Sequence, residues 1–181
     1  RLIRDIEGKI SIANGVESWE AQATPAFADQ DRVYSQLPIT RAFGVVAIAK
    51  FKATVLDYCF PLVFVENLTP TYATSVQAGF YNSSGTNLSV VYNGSVSPIQ
   101  SAIATDTEYL LAIQLRAAGA KWYIKGGAFT NWTKLFEHTL GTATPLYIAS
   151  AGYTAVFTLD NIRSPARKFQ DAPLASDSFA G

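Results

Sequence analysis

The apolar residues of this chain fall in short runs that are rich in β-branched and aromatic side chains. Glycine, asparagine, serine, proline and aspartate separate these runs, and such residues favour turns. Runs of this length at intervals of about 8–12 residues are typical of antiparallel β-sandwiches and barrels. The pattern predicts strands over 43–51, 60–65, 75–81, 88–92, 107–116, 121–125, 133–137, 146–149 and 155–159, with weaker candidates at 9–12 and 32–35. We therefore expect an all-β fold, an antiparallel two-sheet β-sandwich.

Alternation of apolar and polar positions is clearest in the run that follows Thr107. Successive side chains of a strand point to opposite faces, which places four apolar residues of this run on one face: Tyr109, Leu111, Ile113 and Leu115. The short link 117–120 leads directly into 121–125, so the two runs are predicted to form a hairpin. The best helical candidate, 18–28, is interrupted by Pro25, so we expect a loop or one short turn there.

The C-terminal stretch differs in composition from the rest of the chain. Pro165 and Pro173 lie among small and polar residues, and proline favours an extended backbone. We therefore predict one β-sandwich domain over residues 1–165. Residues 166–181 are predicted to be an extended linker or the start of a following module.

The charge balance bears on the partners of the protein. Fourteen basic and fourteen acidic residues cancel in the 181-residue chain, and neither lysine nor arginine occurs from residue 53 to residue 115. A neutral chain with so long a stretch free of basic residues argues against binding to nucleic acid or to an anionic membrane surface. The sequence also has no run of about 20 apolar residues, so no membrane insertion is expected.

One cysteine and one histidine limit the chemistry available to the chain. Cys59 excludes an internal disulfide framework and a zinc site built on several thiolates, and its apolar surroundings predict a buried thiol. A catalytic triad would have to use His138, but the sequence has no Gly-x-Ser-x-Gly motif. The sequence predicts no cofactor, although any metal site would have to be rich in oxygen ligands, as calcium sites are. The identity of such metal ligands stays open.

The second half of the chain resembles a known family. The stretches 110–136, 145–153 and 157–163 resemble the later strands of a concanavalin A-like, LamG-type jelly-roll module, including the ending Asp160-Asn161-Ile162-Arg163. Residues 172–179 resemble the start of a further module in large tandem-domain proteins of bacterial surfaces or bacteriophage tails. The resemblance implies a jelly-roll fold in an extracellular, cell-surface or virion protein. It also implies neighbouring domains or copies of the chain itself as partners.

The carboxylates do not match those of jelly-roll glucanases, which resemble one another in a Glu-x-Asp-x-x-Glu motif. No glutamate of this chain has an aspartate two residues later. Asp106 and Glu108 are interpreted as a polar strand start, so a remote glycosidase would require them or Glu137 to face a cleft. We therefore predict a non-enzymatic module with a structural and adhesive role.

A lectin-like module that binds cell-surface glycans, with or without calcium, is the alternative. Aromatic rings can stack on a sugar while amide side chains bond its hydroxyl groups. Trp132 with Asn131, after the Gly126-Gly127 turn, is predicted to be an exposed loop aromatic or else a lid over the sandwich edge. Trp19 is assigned to a loop with Glu17 and Glu20, where the carboxylates are expected to be solvated. Trp122 is predicted to lie in the core.

Overall fold

Fourteen strands form the part of the protein that the computed structural model describes, namely residues 2–4, 8–21, 31–35, 39, 45–66, 76–140 and 146–163. No helix occurs among these residues, and none could therefore span a membrane. In chain order the strands are β1 (Leu2–Arg4), β2 (Ile10–Ala13), β3 (Val16–Trp19), β4 (Asp31–Tyr34), β5 (Val46–Val55), β6 (Cys59–Val65), β7 (Val76–Asn82), β8 (Asn87–Tyr92), β9 (Ser95–Ala102), β10 (Glu108–Arg116), β11 (Gly119–Gly126), β12 (Phe129–Thr139), β13 (Tyr147–Gly152) and β14 (Val156–Arg163).

The strands form two antiparallel sheets of seven strands each. Sheet I has the order β1-β4-β13-β6-β7-β8-β9, and sheet II has the order β12-β11-β10-β5-β14-β3-β2. The inner face of each sheet packs against the other sheet, and the outer face points away from it. The expected antiparallel two-sheet β-sandwich is confirmed.

Most predicted strands are present, and the shorter runs 9–12 and 32–35 correspond to β2 and β4. The prediction missed β1, β3 and β9. Pro98 lies in β9, where a residue without a backbone N–H is tolerated because β9 is an edge strand of sheet I. The four-residue strand β3 carries the charged Glu17, so its sequence does not look like a buried strand.

Large apolar side chains from both sheets fill the space between them. Trp122 of β11 is fully buried, as predicted, and its indole Nε1–H donates to the carbonyl oxygen of Gly79 in β7 at 3.0 Å. This bond joins sheet II to sheet I through the core. Gly79 lies opposite Val63 of β6, and a Cβ atom added at Gly79 would overlap Cγ1 of Val63, so a larger residue would force the Val63 side chain to move.

The predictions for Cys59, for the helical candidate 18–28 and for the end of the domain have different outcomes. Cys59 is fully buried as expected, and burial raises the pKa of its thiol. The predicted loop or turn at 18–28 falls mostly on residues outside the described ones, although its first two residues belong to β3. The described chain ends with β14 at Arg163, so the domain end near Pro165 and the linker 166–181 also lie outside it and stay predictions.

Candidate functional site

Trp132 and Asn131 lie in the edge strand β12, so their predicted location in a loop is wrong. The pairing of β11 with β12 is irregular at this point: Gly126 lies opposite Phe129, and the next pair is Ile124 with Thr133. Residues 130–132 of β12 therefore lie opposite Lys125 alone. Such a bulge breaks the simple alternation of side chains. Asn131 is exposed and Trp132 is half-buried.

The indole of Trp132 belongs to an apolar cluster on the outer face of sheet II. We call this group the outer-face cluster; it comprises Val46, Ile48, Ala112, Tyr123 and Trp132. Tyr123 is only 5% exposed, whereas Trp132 keeps part of its surface accessible. Four neighbouring strands contribute one or two residues each, so the rigid sheet holds the indole in place.

The strand register arranges polar and charged side chains around this cluster. One row across β5, β10, β11 and β12 contains Val46, Gln114, Lys121 and Glu137. The adjacent row contains Ile48, Ala112, Tyr123 and Lys134. An aromatic surface is thus bordered by an amide, two ammonium groups and a carboxylate, which together supply hydrogen-bond donors and acceptors.

Two lysines hold the carboxylate of Glu137. Lys121 Nζ lies 3.2 Å and Lys134 Nζ 3.3 Å from the same oxygen, Oε2. Loss of solvent around the carboxylate tends to raise the pKa of Glu137, but the two lysines together outweigh this effect and lower it. Burial raises the pKa of Tyr123, on which the charges of Arg116 and Glu137 act in opposite directions.

A cleft of about 340 Å³ adjoins the same edge of sheet II. It surrounds the turn between β10 and β11 and the end of β12, and its lining comprises Arg116, Ala118, Gly119, Ala120, Lys121, Glu137, His138 and Thr139. His138 is the residue before the last in β12, and its ring centroid lies 4.1 Å from that of Tyr92 in sheet I. Lys121 and Glu137 belong both to the cleft and to the row beside Tyr123, so cleft and outer-face cluster form one continuous region.

The geometry gives little support to glycoside hydrolysis in this region. Hydrolysis of a glycosidic bond needs two carboxyl groups across a cleft. Of the described residues that line the cleft, Glu137 alone carries a carboxyl group. Glu108 instead pairs with Lys50 at 2.7 Å, and this hydrogen bond raises the pKa of Lys50. Asp106 adopts a positive φ of 56° in the turn before β10.

Trp19 is the second predicted sugar contact, and its assignment to a loop is wrong. It is the last residue of β3, is 1% exposed, and stacks on Phe157 with ring centroids 5.2 Å apart. A ring buried in the core offers no surface to a sugar, so Trp19 is not part of the candidate site. Its alternation with solvent-facing Ser18 is the local signal for a strand.

Glu17 was also expected to be solvated, and this expectation is wrong as well. Its side chain is 1% exposed and accepts a hydrogen bond from Ser150 Oγ of β13 at 2.8 Å, between the two sheets. Glu20 is exposed as expected and lies 3.4 Å from Lys9. Glu17 therefore contributes to the core rather than to a binding surface.

The fold has counterparts among solved structures. A functionally unknown protein from Saccharomyces cerevisiae has a TM-score of 0.63 at 10% identity, over 92% of this chain and 96% of that one. The exoplasmic/lumenal domain of VIP36, in a form bound to Ca²⁺ and Man3GlcNAc, has a TM-score of 0.63 at 12% identity, over 91% of this chain and 83% of that one. The chain has a concanavalin A-like fold.

Other comparisons add less. A sialidase aligns with 91% of this chain, but the match spans only 14% of the sialidase, at a TM-score of 0.55 and 10% identity. No protein-family model matches the chain, and no curated protein matches it. None of these findings bears on the LamG-type module, the tandem bacterial proteins or the phage tails of the resemblance, which stay predictions.

Calcium appears with VIP36 in some of its solved structures. Among the described residues of this chain, no group of three or more histidine, cysteine, aspartate or glutamate side chains could hold a metal ion. Glu137, the one acidic residue among the described residues that line the cleft, has two lysine partners. Calcium binding therefore stays a prediction of the lectin-like alternative.

Proposed function

We propose that this protein is a non-catalytic glycan-binding module. Its contact surface is the outer face of sheet II around Trp132, between β10 and the edge strand β12. The observation that carries the proposal is the half-buried indole held by the outer-face cluster and bordered by Gln114, Lys121 and Lys134.

The physical basis is the amphipathic nature of a sugar ring. Its C–H face packs against an indole, while its hydroxyl groups need donors and acceptors at the rim. Trp132 is supported by buried neighbours, so little side-chain entropy is lost when a ligand binds. The exposed amide of Asn131 lies next to it in the chain and supplies both a donor and an acceptor.

The comparisons support this proposal over a purely structural role. The VIP36 domain, which has a similar fold, is described with bound Man3GlcNAc in one structure and Man2 in another. A lumenal or extracellular location accords with the same neighbour. The structural and adhesive role in a larger surface or tail protein stays a prediction, since the tail that would mediate assembly lies outside the described residues.

The test is a glycan array probed with the full 181-residue chain, with calcium and then with EDTA. We expect specific binding that Trp132→Ala reduces at least tenfold. Tyr153→Ala is the matched control, because Tyr153 is a half-buried aromatic in the turn after β13, with its ring centroid 6.0 Å from that of Tyr58. We expect this control to bind like the wild type.

Three outcomes decide the matter. Loss of binding in Trp132→Ala alone supports the proposal, and sensitivity to EDTA would add a metal ion. Equal binding by the Trp132→Ala variant would move the site elsewhere and refute the assignment of this face. No binding to any glycan would refute the function and return attention to assembly through residues 166–181.

A further inference from the structure

We infer that the cleft beside the outer-face cluster holds the carboxylate of an acidic sugar, so that the bound glycan contains uronic acid residues. This inference rests on the proposed glycan binding and names the class of sugar. The first observation is the distribution of charge in the folded molecule.

Positive charge is concentrated on the outer face of sheet II, although the whole chain is neutral. Alternation along β5, β10, β11, β12 and β14 directs six cationic side chains of the described residues outward: Lys50, Lys52, Arg116, Lys121, Lys125 and Lys134. The same strands direct three anionic side chains outward: Glu108, Glu137 and Asp160. This excess of three positive charges favours an anionic ligand.

The acidic side chains on this face are themselves compensated, so they do not repel such a ligand strongly. Glu108 lies 2.7 Å from Lys50. Glu137 shares one carboxylate oxygen between Lys121 and Lys134. Asp160 registers opposite Lys50 across β14 and β5 and interacts electrostatically with it. The carboxylate of Glu137 that lines the cleft is thus already neutralised by the ammonium groups of Lys121 and Lys134.

Arg116 provides the geometry that selects a carboxylate. Its Nη2–H donates to Gln114 Oε1 at 3.2 Å, which holds the guanidinium against the outer face at the cleft. A guanidinium has five N–H donors in a planar fork, and this fork matches the two oxygens of a carboxylate. His138 and residues 118–120 at the β10–β11 connection complete the lining of the cleft.

The placement of the cleft favours a sugar over a small free anion. Its volume of about 340 Å³ is near the lower end of the range of ligand pockets, about 300–1,000 Å³. The row of Lys121 and Glu137 connects it directly to Tyr123 and hence to Trp132. One sugar ring can therefore stack on the indole while a carboxylate of the same chain reaches the cleft.

The experiment compares pairs of oligosaccharides that differ only in the carboxylate. The probes are β-1,3-, β-1,4- and α-1,4-linked tetramers, each as the uronic acid and as the neutral hexose, titrated into the full chain at low and high salt. We expect the uronic acid member of a pair to bind at least ten times more tightly at low salt. This preference should shrink at high salt because screening weakens charge contacts at the surface.

Two variants separate the inference from the function on which it rests. Arg116→Gln should abolish the preference for the uronic acid while keeping the binding of the neutral tetramer. Lys52→Gln is the matched control, since Lys52 lies on the same outer face opposite Glu108 and Thr158, away from the cleft. Trp132→Ala should weaken both members of a pair.

The outcomes are distinct. Equal affinity for both members of every pair would overturn the inference and leave the proposed glycan binding standing. A preference that Lys52→Gln removes as fully as Arg116→Gln would also overturn it, because the selection would then be a property of the whole face. If no tetramer binds in either form, the inference fails, and the glycan array decides the proposed function separately.

Discussion

Replacing Trp122 by phenylalanine tests how the two sheets are held together. The change removes the indole N–H that donates to the carbonyl oxygen of Gly79 across the core at 3.0 Å. The indole is fully buried, so water cannot replace the lost donor without entering the core. A buried acceptor that loses its partner costs about 1–3 kcal/mol. The smaller ring also leaves a space larger than a methyl group, which costs about 1 kcal/mol more.

The expected loss of unfolding free energy is therefore about 2–4 kcal/mol. For a chain of this length, 1 kcal/mol corresponds to roughly 2–4 °C in Tm, so Tm should fall by roughly 4–16 °C. Urea denaturation followed by far-UV circular dichroism measures the free energy, and a thermal scan measures Tm. Trp132→Phe is the control, because Trp132 is half-buried on an outer face, and it should cost less than about 1 kcal/mol. A loss below about 0.5 kcal/mol for Trp122→Phe would show that the bond between the sheets contributes almost nothing.

Two further predictions concern acidic side chains. Ser150→Ala removes the hydroxyl that donates to buried Glu17. We expect it to lower the free energy of unfolding, measured by urea denaturation, by about 1–3 kcal/mol. An unchanged midpoint of the urea transition would contradict the role of this hydrogen bond. The pKa of Glu137 lies below its ordinary value of 4.5, so the contribution of its pairs with Lys121 and Lys134 is present above that value and is lost as the pH falls through the lowered pKa. Thermal scans from pH 7 to pH 3 should therefore show a slightly weaker acid dependence for Glu137→Gln than for the wild type, and parallel curves would contradict the pairing.

The alternation of apolar and polar residues, together with the turn residues, is sufficient to predict the sandwich, because most strands carry this alternation in their own sequence. The strand β10, with Leu111 and Ile113 on its buried face, is an example. The same logic failed for β3, because Glu17 occupies a core position and its partner Ser150 lies 133 residues away. A buried carboxylate is compatible with a strand only when such a partner is known, and no local pattern contains it. Trp19 was consequently assigned to a loop.

Only part of the candidate site could be predicted from the sequence, for a similar reason. Trp132 and Asn131 could be selected as an aromatic and an amide in a polar stretch. The residues that pack against the Trp132 indole could not be predicted, since the outer-face cluster includes Ile48 and Ala112 from strands that are distant in the chain. The bulge opposite Lys125 also hides which way the indole points, because alternation fails there.

The distribution of charge shows how topology changes the meaning of composition. The absence of lysine and arginine from residue 53 to residue 115 means that any basic surface must be built without this third of the chain. In the fold, that stretch supplies β6, β7, β8 and β9, which are neighbours in sheet I, together with most of β10. The cations therefore lie outside that stretch, and six of the fourteen lie on the outer face of sheet II. A stretch without lysine and arginine thus leaves sheet I poor in cations and concentrates positive charge on the outer face of sheet II, where the edge strand β12 carries Trp132.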